Sequence, residues 1–243
     1  MLKIKNLSYT YNDGTRALKN INIDLQKDNI IGLIGGNGSG KTTLFKNILG
    51  ILYPTKGEIY LNNKKIRNSK KDKKKLMKKI GIIFQDPDQQ IFSSNVYDDI
   101  AFGLRNKNID EKKIEKKIKN VIKTVKIENI VDKPVHFLSH GQKKRVAISG
   151  MLALDKDILL LDEPTAGLDP QMTNDLIDII KKLANNGKKI IISSHNMDLI
   201  YSITDYCYVL SKGEVIESNL TKEVFEKKNL LKKAGLSQPY MLR

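Results

Sequence analysis

The sequence predicts an α/β fold with a parallel core, and three observations carry that expectation. Two short, continuous apolar runs, Ile30 to Ile34 and Ile158 to Leu161, have the length and texture of strands covered on both faces. Segments of helical spacing follow them and alternate with further apolar runs, the pattern of strand–helix units. The stretch from Asp86 to Gly150 reads as helical and interrupts that alternation, as a subdomain inserted between two halves of the core would.

Taken in order, Leu2 to Tyr9 alternates loosely, and Ile21, Ile23 and Leu25 alternate with polar neighbours at the period of a half-buried strand. Asn12-Asp13-Gly14 between these runs is a turn signal. The strand Ile30 to Ile34 ends in a glycine cluster, and a helix is predicted from about Lys41. In that helix Leu44 and Ile48, and Phe45 and Leu49, are neighbours on one face, and Gly50 sits where the chain leaves it. Lys64 to Lys79 is mostly lysine, and a strand is expected over Ile80 to Phe84. Asp110 can cap a helix with Ile114, Ile118, Val121, Ile122 and Val125 on one stripe and a lysine-rich opposite face. After Ile158 to Leu161 come a helix with Leu176, Ile179, Ile180 and Leu183 inward, a strand over Ile190 to Ile192, and a closing hairpin from Tyr206 to Ile216 through Ser211-Lys212-Gly213. Pro239-Tyr240-Met241 carries no clear local signal and is expected as a tail or a disordered end.

Composition narrows the classes. The 243 residues are enough for a sizeable core, and 40% hydrophobic with 29% charged residues argues against disorder. The lone Cys207 excludes an internal disulfide framework and a cysteine-rich zinc cluster. No apolar run approaches the ~18 residues of a membrane-spanning helix, and the opening Met1-Leu2-Lys3-Ile4-Lys5 lacks the apolar core of a signal peptide, so a cytosolic chain is expected. Lys and Arg number 43 against 27 Asp and Glu, a net charge of +16 that asks for an acidic or phosphate-bearing partner.

The phosphate-bearing partner has a candidate seat. Gly35-Gly36-Asn37-Gly38-Ser39-Gly40-Lys41-Thr42 fits G-x-x-x-x-G-K-[ST] after a strand and at the start of a helix, which is a P-loop in its required context. Glycines let successive N–H groups curl around a phosphate, and the helix N-terminus adds the positive end of its dipole. Lys41 would reach the β- and γ-phosphates and Thr42 would hold Mg²⁺ through its hydroxyl. The run ending in Asp162-Glu163 delivers two acids to the edge of the sheet where α/β folds place ligands. There Asp162 can support Mg²⁺ and Glu163 can act on the attacking water. Ser139 to Gln142 reads locally as a capping box opening the helix Lys143 to Leu154, although a serine and a bare glycine at a helix start also make an anion site.

Leu138-Ser139-His140-Gly141-Gln142, upstream of Leu161-Asp162-Glu163-Pro164, resembles the signature sequence of ATP-binding-cassette ATPases. Gln85 is similar to the family's Q-loop glutamine, Ala166-Gly167-Leu168-Asp169 to its D-loop, His195 in Ser193-Ser194-His195 to its switch histidine, and Tyr11 to the aromatic residue that stacks on adenine. The resemblance covers about Leu2 to Glu217. It implies a RecA-like parallel core with an N-terminal antiparallel β subdomain and an inserted helical subdomain at about 86–150. The ATPase domain would span 1–220, followed by a C-terminal extension, 221–243. It places catalysis on Glu163, His195 and Gln85, and Mg²⁺ on Thr42, Gln85 and Asp162. It puts ATP on Tyr11, Gly35 to Lys41, Thr42 and Thr43 of one subunit and on Ser139, Gly141, Gln142 and Asp169 across a head-to-tail pair, homodimer or heterodimer.

Phe84-Gln85-Asp86-Pro87-Asp88-Gln89-Gln90-Ile91-Phe92 and Val96 to Gly103 further resemble the energy-coupling-factor importers, and Gln142 to Ile148 with Asp162 to Pro170 their cobalt/nickel branch. That resemblance implies an ATPase on the cytoplasmic face of the membrane, bound to a transmembrane scaffold subunit and working with a substrate-binding membrane subunit. It implies uptake of cobalt, nickel or a vitamin. The alternative, a cassette ATPase acting on nucleic acid or ribosomes, is suggested by charge alone. The sequence shows no aromatic interleaving of its basic runs, so no specific nucleic acid is expected. His140 stands where the signature commonly has glycine, and it is expected to alter the closed dimer rather than abolish it.

Overall fold

The computed structural model describes residues 1–25 and 28–243. Strands β1 (Leu2–Thr10) and β2 (Arg16–Asp24) pair antiparallel, and β4 (Lys56–Leu61) and β5 (Lys64–Ile66) extend them to a four-stranded sheet of order β2-β1-β4-β5. Leu2, Ile4 and Leu7 face inward, with a bulge between Ile4 and Leu7 where Asn6 takes a φ of 50°. The β1–β2 turn is closed by Gly14 N–H on Tyr11 O and Thr15 N–H on the Asp13 carboxylate. Asn62-Asn63, both at positive φ, make the tight β4–β5 turn.

The second sheet has the order β10-β9-β3-β8-β7-β6. Its strands β3 (Ile30–Ile34), β6 (Ile80–Ile83), β7 (Ile158–Asp162), β8 (Lys189–Ser193) and β9 (Tyr206–Ser211) run parallel, and β10 (Glu214–Leu220) pairs antiparallel with β9. Each side of this sheet faces a separate core. Ile31, Leu33, Leu160 and Ile191 pack toward the antiparallel sheet and helix α1 (Lys41–Ile48), with Leu44, Phe45 and Ile48 fully buried. Ile34, Leu159, Leu161, Ile190 and Ile192 pack the other way, in a core shared with the helical subdomain and the C-terminal helices. That two-sided burial is why these strands read as unbroken apolar runs.

Helix α2 (Lys70–Lys79) lies between β5 and β6, capped by Ser69 and held to the core by Leu76. Helices α3 (Val96–Arg105), α4 (Glu111–Val125) and α5 (His140–Ala153) form the insertion between β6 and β7. Asp110 caps α4 as the sequence predicts, with Ile114, Ile118 and Val125 buried. Ser139 and Gln142 close a reciprocal capping box, so α5 begins at His140, earlier than the predicted Lys143. Asp169 caps α6 (Pro170–Asn185) and Asn196 caps α7 (Met197–Ile203). After β10, α8 (Thr221–Glu226) and α9 (Lys228–Lys233) bury Phe225, Leu231 and Ala234 in the common core. The end of the chain differs from the sequence expectation. Tyr240–Leu242 makes one 3₁₀ turn whose first N–H donates to the Asp198 carboxylate at 2.6 Å, a contact no local pattern announces.

Candidate active site

Because β3, β8 and β7 are neighbours and parallel, their C-terminal ends bring the P-loop, Ser193 and Asp162 to one edge of the sheet. The loop folds tightly against β9. A Cβ on Gly35 would lie 2.3 Å from Leu210 O, and one on Gly40 2.7 Å from Ala17 O, so neither position has room for a side chain. Gly213 N–H donates to Ser39 O at 3.1 Å, and Gly36 N–H donates to Ala234 O at 3.0 Å. The C-terminal helices therefore brace the loop directly. Helix α1 starts at Gly40, with no side chain capping its N–H groups, and Ser39 Oγ is buried without a hydrogen-bond partner. Those free donors suit a phosphate.

Lys41 Nζ donates to Gly35 O at 2.7 Å and Gly36 O at 3.2 Å. Burial pushes its ammonium below the ordinary lysine range, against the pull of Glu163 and Asp162. Thr42 Oγ1 donates to Asp162 Oδ2 at 2.7 Å, while Ser193 Oγ donates to Asp162 Oδ1 at 2.5 Å. The buried carboxylate of Asp162 is thus held between two strand ends and the helix start. Glu163 adopts a φ of 46°, fixed by its N–H on Ser193 O at 3.0 Å. One of its carboxylate oxygens accepts from His195 N–H at 3.1 Å. The other is buried without a hydrogen-bond partner, and His195 Nε2 stands 3.3 Å away, out of line to donate.

A cavity of about 520 Å³ joins these groups, lined among others by Tyr11, Lys41, Thr42, Gln85, Glu163 and His195. Asn37, Gly38, Ser39, Gly40, Thr43 and Asp162 line it too. The Tyr11 hydroxyl lies 3.0 Å from Thr43 Oγ1, tying the β1–β2 turn to α1. Ser139, Gly141, Gln142 and Asp169 are placed apart from it, as the N-terminus of α5 and the cap of α6. Between the two places lies a second cavity of about 310 Å³, lined by Thr42, Gln85, His140, Asp162, Ala166 and Gly167 among others. The His140 ring sits on Gly167, where an added Cβ would come 2.8 Å from His140 Cδ2.

Sequence reasoning missed Ser193 as the second holder of Asp162 and assigned no role to the cavity's cations Arg16, Lys19 and Lys212. Arg16 and Lys19 lie on β2 and Lys212 in the β9–β10 turn, close to the P-loop only through strand pairing, and only charge could have hinted at them. It also missed Lys144, which is fully buried and hydrogen-bonded to Phe84 O, Gln85 O and Glu163 O. Burial lowers the Lys144 ammonium to about 8.

The arrangement offers stacked backbone donors and a lysine for polyphosphate, hard oxygen ligands beside them, and a carboxylate with one free oxygen for water. Comparison with known proteins agrees. The family model described as ABC transporter matches residues 18–166. The energy-coupling factor transporter ATP-binding protein EcfA3 of Clostridium perfringens is 44% identical over 240 residues, 98% of this chain and 84% of that protein. The cobalt import ATP-binding protein CbiO of Salmonella paratyphi A is 42% identical over 243 residues, 100% of this chain and 89% of that protein. Among solved structures, CbiO1 of Clostridium perfringens, described as part of the ABC transporter complex CbiONQ, superposes with a TM-score of 0.82 at 45% identity, covering 96% of this chain and 93% of that one. The dimeric post-hydrolysis ATP-binding cassette MJ0796 with ADP and phosphate superposes at 0.84 and 28% identity, covering 91% and 99%. The chain belongs to the ABC transporter ATPases, of the energy-coupling-factor and CbiO type, and is an ATP-binding, ATP-hydrolysing subunit.

Proposed function

We propose that this chain powers an importer of the energy-coupling-factor type, on the cytoplasmic face of the membrane, as one of a pair of cassettes. The partner is a second copy or a paralogue. The observation that carries the reading is the convergence of Lys41, Thr42, Gln85, Asp162, Glu163 and His195 on one cavity while Ser139 and Gly141 stand outside it. A single subunit then supplies half of each nucleotide seat, and a two-fold pair supplies both, each ATP between one P-loop and the other's signature turn.

ATP would lie with its phosphates in the loop Gly35 to Thr42 and its adenine toward Tyr11. Lys41 would leave the loop carbonyls for the β- and γ-phosphate oxygens. The free oxygen of Glu163 would take the proton of the attacking water as its oxygen bonds to the γ-phosphorus and the bond to ADP breaks. His195 would hold the γ-phosphate. Thr42, Asp162 and Gln85 fit Mg²⁺, which favours few protein oxygens shared with phosphate; among the described residues no cluster of three or more His, Cys, Asp or Glu offers an all-protein cage. Bound there, Mg²⁺ neutralises phosphate charge. Closure by ATP and opening after hydrolysis make a two-state switch.

Among the described residues no helix is long and apolar enough to cross a membrane, so the transported species would pass through other subunits. A groove of about 360 Å³ between α2 and β6 on one side and α3 and α5 on the other suits a helix of the transmembrane scaffold subunit. Phe92 and Phe102 meet edge to face at its rim with 62% and 44% exposure. A substrate-binding membrane subunit would select the cargo, which we read as cobalt, nickel or a vitamin. Domain limits of 1–220 and 221–243 serve this reading, the helical part at about 86–150 carrying one side of the groove.

Glu163→Gln is expected to bind ATP, to hydrolyse it about 100-fold more slowly or worse, and to accumulate as an ATP-dependent dimer on light-scattering chromatography. Turnover near wild type would overturn the role given to Glu163. A chain that stays monomeric with Mg-ATP would overturn the paired site. Co-purification of membrane subunits from detergent-solubilised membranes tests the importer assignment separately.

A further inference from the structure

Lys144 is a charged side chain with no exposure at all, on the second turn of α5, and among the described residues no carboxylate is ion-paired with it. Its three N–H donors meet three carbonyls: Phe84 O at 2.9 Å, Gln85 O at 2.7 Å and Glu163 O at 3.3 Å. Two of these belong to the strand end and loop that carry Gln85, and the third to the residue offered to water. Burying an ammonium is costly unless each donor is satisfied, and here all three are. Asp162, Glu163 and Asp86 add attraction from around it.

The placement matters more than the energy. Glu163 holds a left-handed backbone conformation that a residue with a side chain rarely adopts, and such a conformation persists only where its surroundings fix it. Ser193 O fixes it from the N–H side and Lys144 from the carbonyl side. The same ammonium sits less than two turns from the capped N-terminus of α5, the signature turn.

We infer that Lys144 is a positioning residue for ATP hydrolysis: through their main-chain carbonyls it sets Glu163 and Gln85 at the nucleotide and locks both to the helix that carries Ser139 and Gly141. Any shift of Gln85 or Glu163 with the γ-phosphate is then transmitted to the signature turn, which in a pair faces the other nucleotide. Lys144 Nζ donates to main-chain carbonyls alone, so it acts through the residues that it holds. The inference rests on the reading of Glu163 as the residue that acts on water.

Lys144→Met keeps the length and apolar stem of the side chain and removes the donors. In the full chain it should lower kcat by about 10- to 100-fold, the penalty of a misplaced catalytic group, while KM for ATP and the ATP affinity measured by titration stay within about threefold. Lys144→Gln, which keeps a donor, should recover part of the loss, and guards against a Met variant that fails to fold. Lys143→Met, one residue away and ion-paired with Asp88 on the surface, serves as the control and should leave kcat within about twofold. A folded Lys144→Met or Lys144→Gln with wild-type kcat would overturn the inference. So would a loss of activity matched by a loss of folded protein with kcat per folded molecule unchanged. Glu163→Gln run beside them separates the two failures. If it turns over normally the reading of Glu163 falls, and if it is inactive while both Lys144 variants are normal only the role of Lys144 falls.

Discussion

The helix starts at Gly40 and at Ser139 are built from similar residues and do opposite things. Both combine glycine and serine at an N-terminus, where free N–H groups and the helix dipole favour an anion. At α1 no side chain caps the helix, Ser39 Oγ lacks a hydrogen-bond partner, and Lys41 is folded onto the loop's own carbonyls. At α5 the cap is complete: Gln142 N–H donates to Ser139 Oγ at 3.3 Å and Ser139 N–H donates to Gln142 Oε1 at 3.0 Å, and both Ser139 and His140 are exposed. One end is left open inside its own chain for a ligand. The other is satisfied and turned outward, which is what a surface that meets its ligand only with a second molecule requires. A helix N-terminus alone therefore says little about binding; what its neighbours leave unsatisfied says more.

The strongest way to break this contrast is Lys41→Ala. If the α1 end is the seat of ATP within one subunit, losing two or more charge-assisted contacts should weaken ATP binding to the isolated chain by about 10- to 100-fold. Fluorescent-nucleotide titration reads the change, and unchanged affinity would place the phosphates elsewhere.

The α5 end should behave differently. Ser139→Ala removes one half of the capping box and should cost about 1 kcal/mol of stability in denaturant unfolding. ATP affinity of the single subunit should stay at the wild-type value, while hydrolysis falls with loss of ATP-dependent pairing. His140→Gly takes the ring off Gly167. If the ring helps shape the surface that meets a second cassette, His140→Gly should change turnover while the ATP affinity of the single subunit stays at the wild-type value. Identical turnover for the two chains would remove any part for His140 in closure, and a Ser139→Ala chain that binds ATP poorly on its own would erase the distinction between the two ends.

Much of this was readable in the chain. Buried strands such as Ile158 to Leu161 announce themselves because both faces are covered, and the P-loop does so because its glycines are forced by contacts as close as 2.3 Å. The Ser139–Gln142 capping box is a local pairing and was legible as one. The strands β4 and β5 went unread although Asn62-Asn63 marks their turn, because Lys64 and Lys65 on β5 are exposed and only Ile66 shows a buried face. The holders of the site were hidden for another reason. Ser193, Lys144 and Ala234 act on residues 31, 19 and 198 positions away, and nothing in their own neighbourhoods records those contacts.

Lys156 sharpens the comparison from outside the site, with the smallest effect. Like Lys41 it is a buried lysine, but it lies at the far side of β7, donating to Met77 O, with no nucleotide to reach. Burial, with Lys107 adding repulsion and Asp157 opposing it, lowers its ammonium to about 8 from the ordinary lysine value. Below about pH 8 the folded chain therefore carries a charged group it would shed, and the unfolded chain does not pay for it. As pH rises from about 8 toward 10 the folded state loses that proton first, so wild-type stability gains relative to a chain without the group. Lys156→Met should accordingly gain about 1–3 kcal/mol over wild type at pH 7, net of the lost hydrogen bond, and most of the gain should vanish by about pH 10. Urea unfolding of both chains at the two pH values reads it, with Lys144 titrating equally in each and cancelling. A pH-independent difference would mean that Lys156 stays charged at its depth, and that burial alone is a poor guide to why Lys41 is held ready beside the loop.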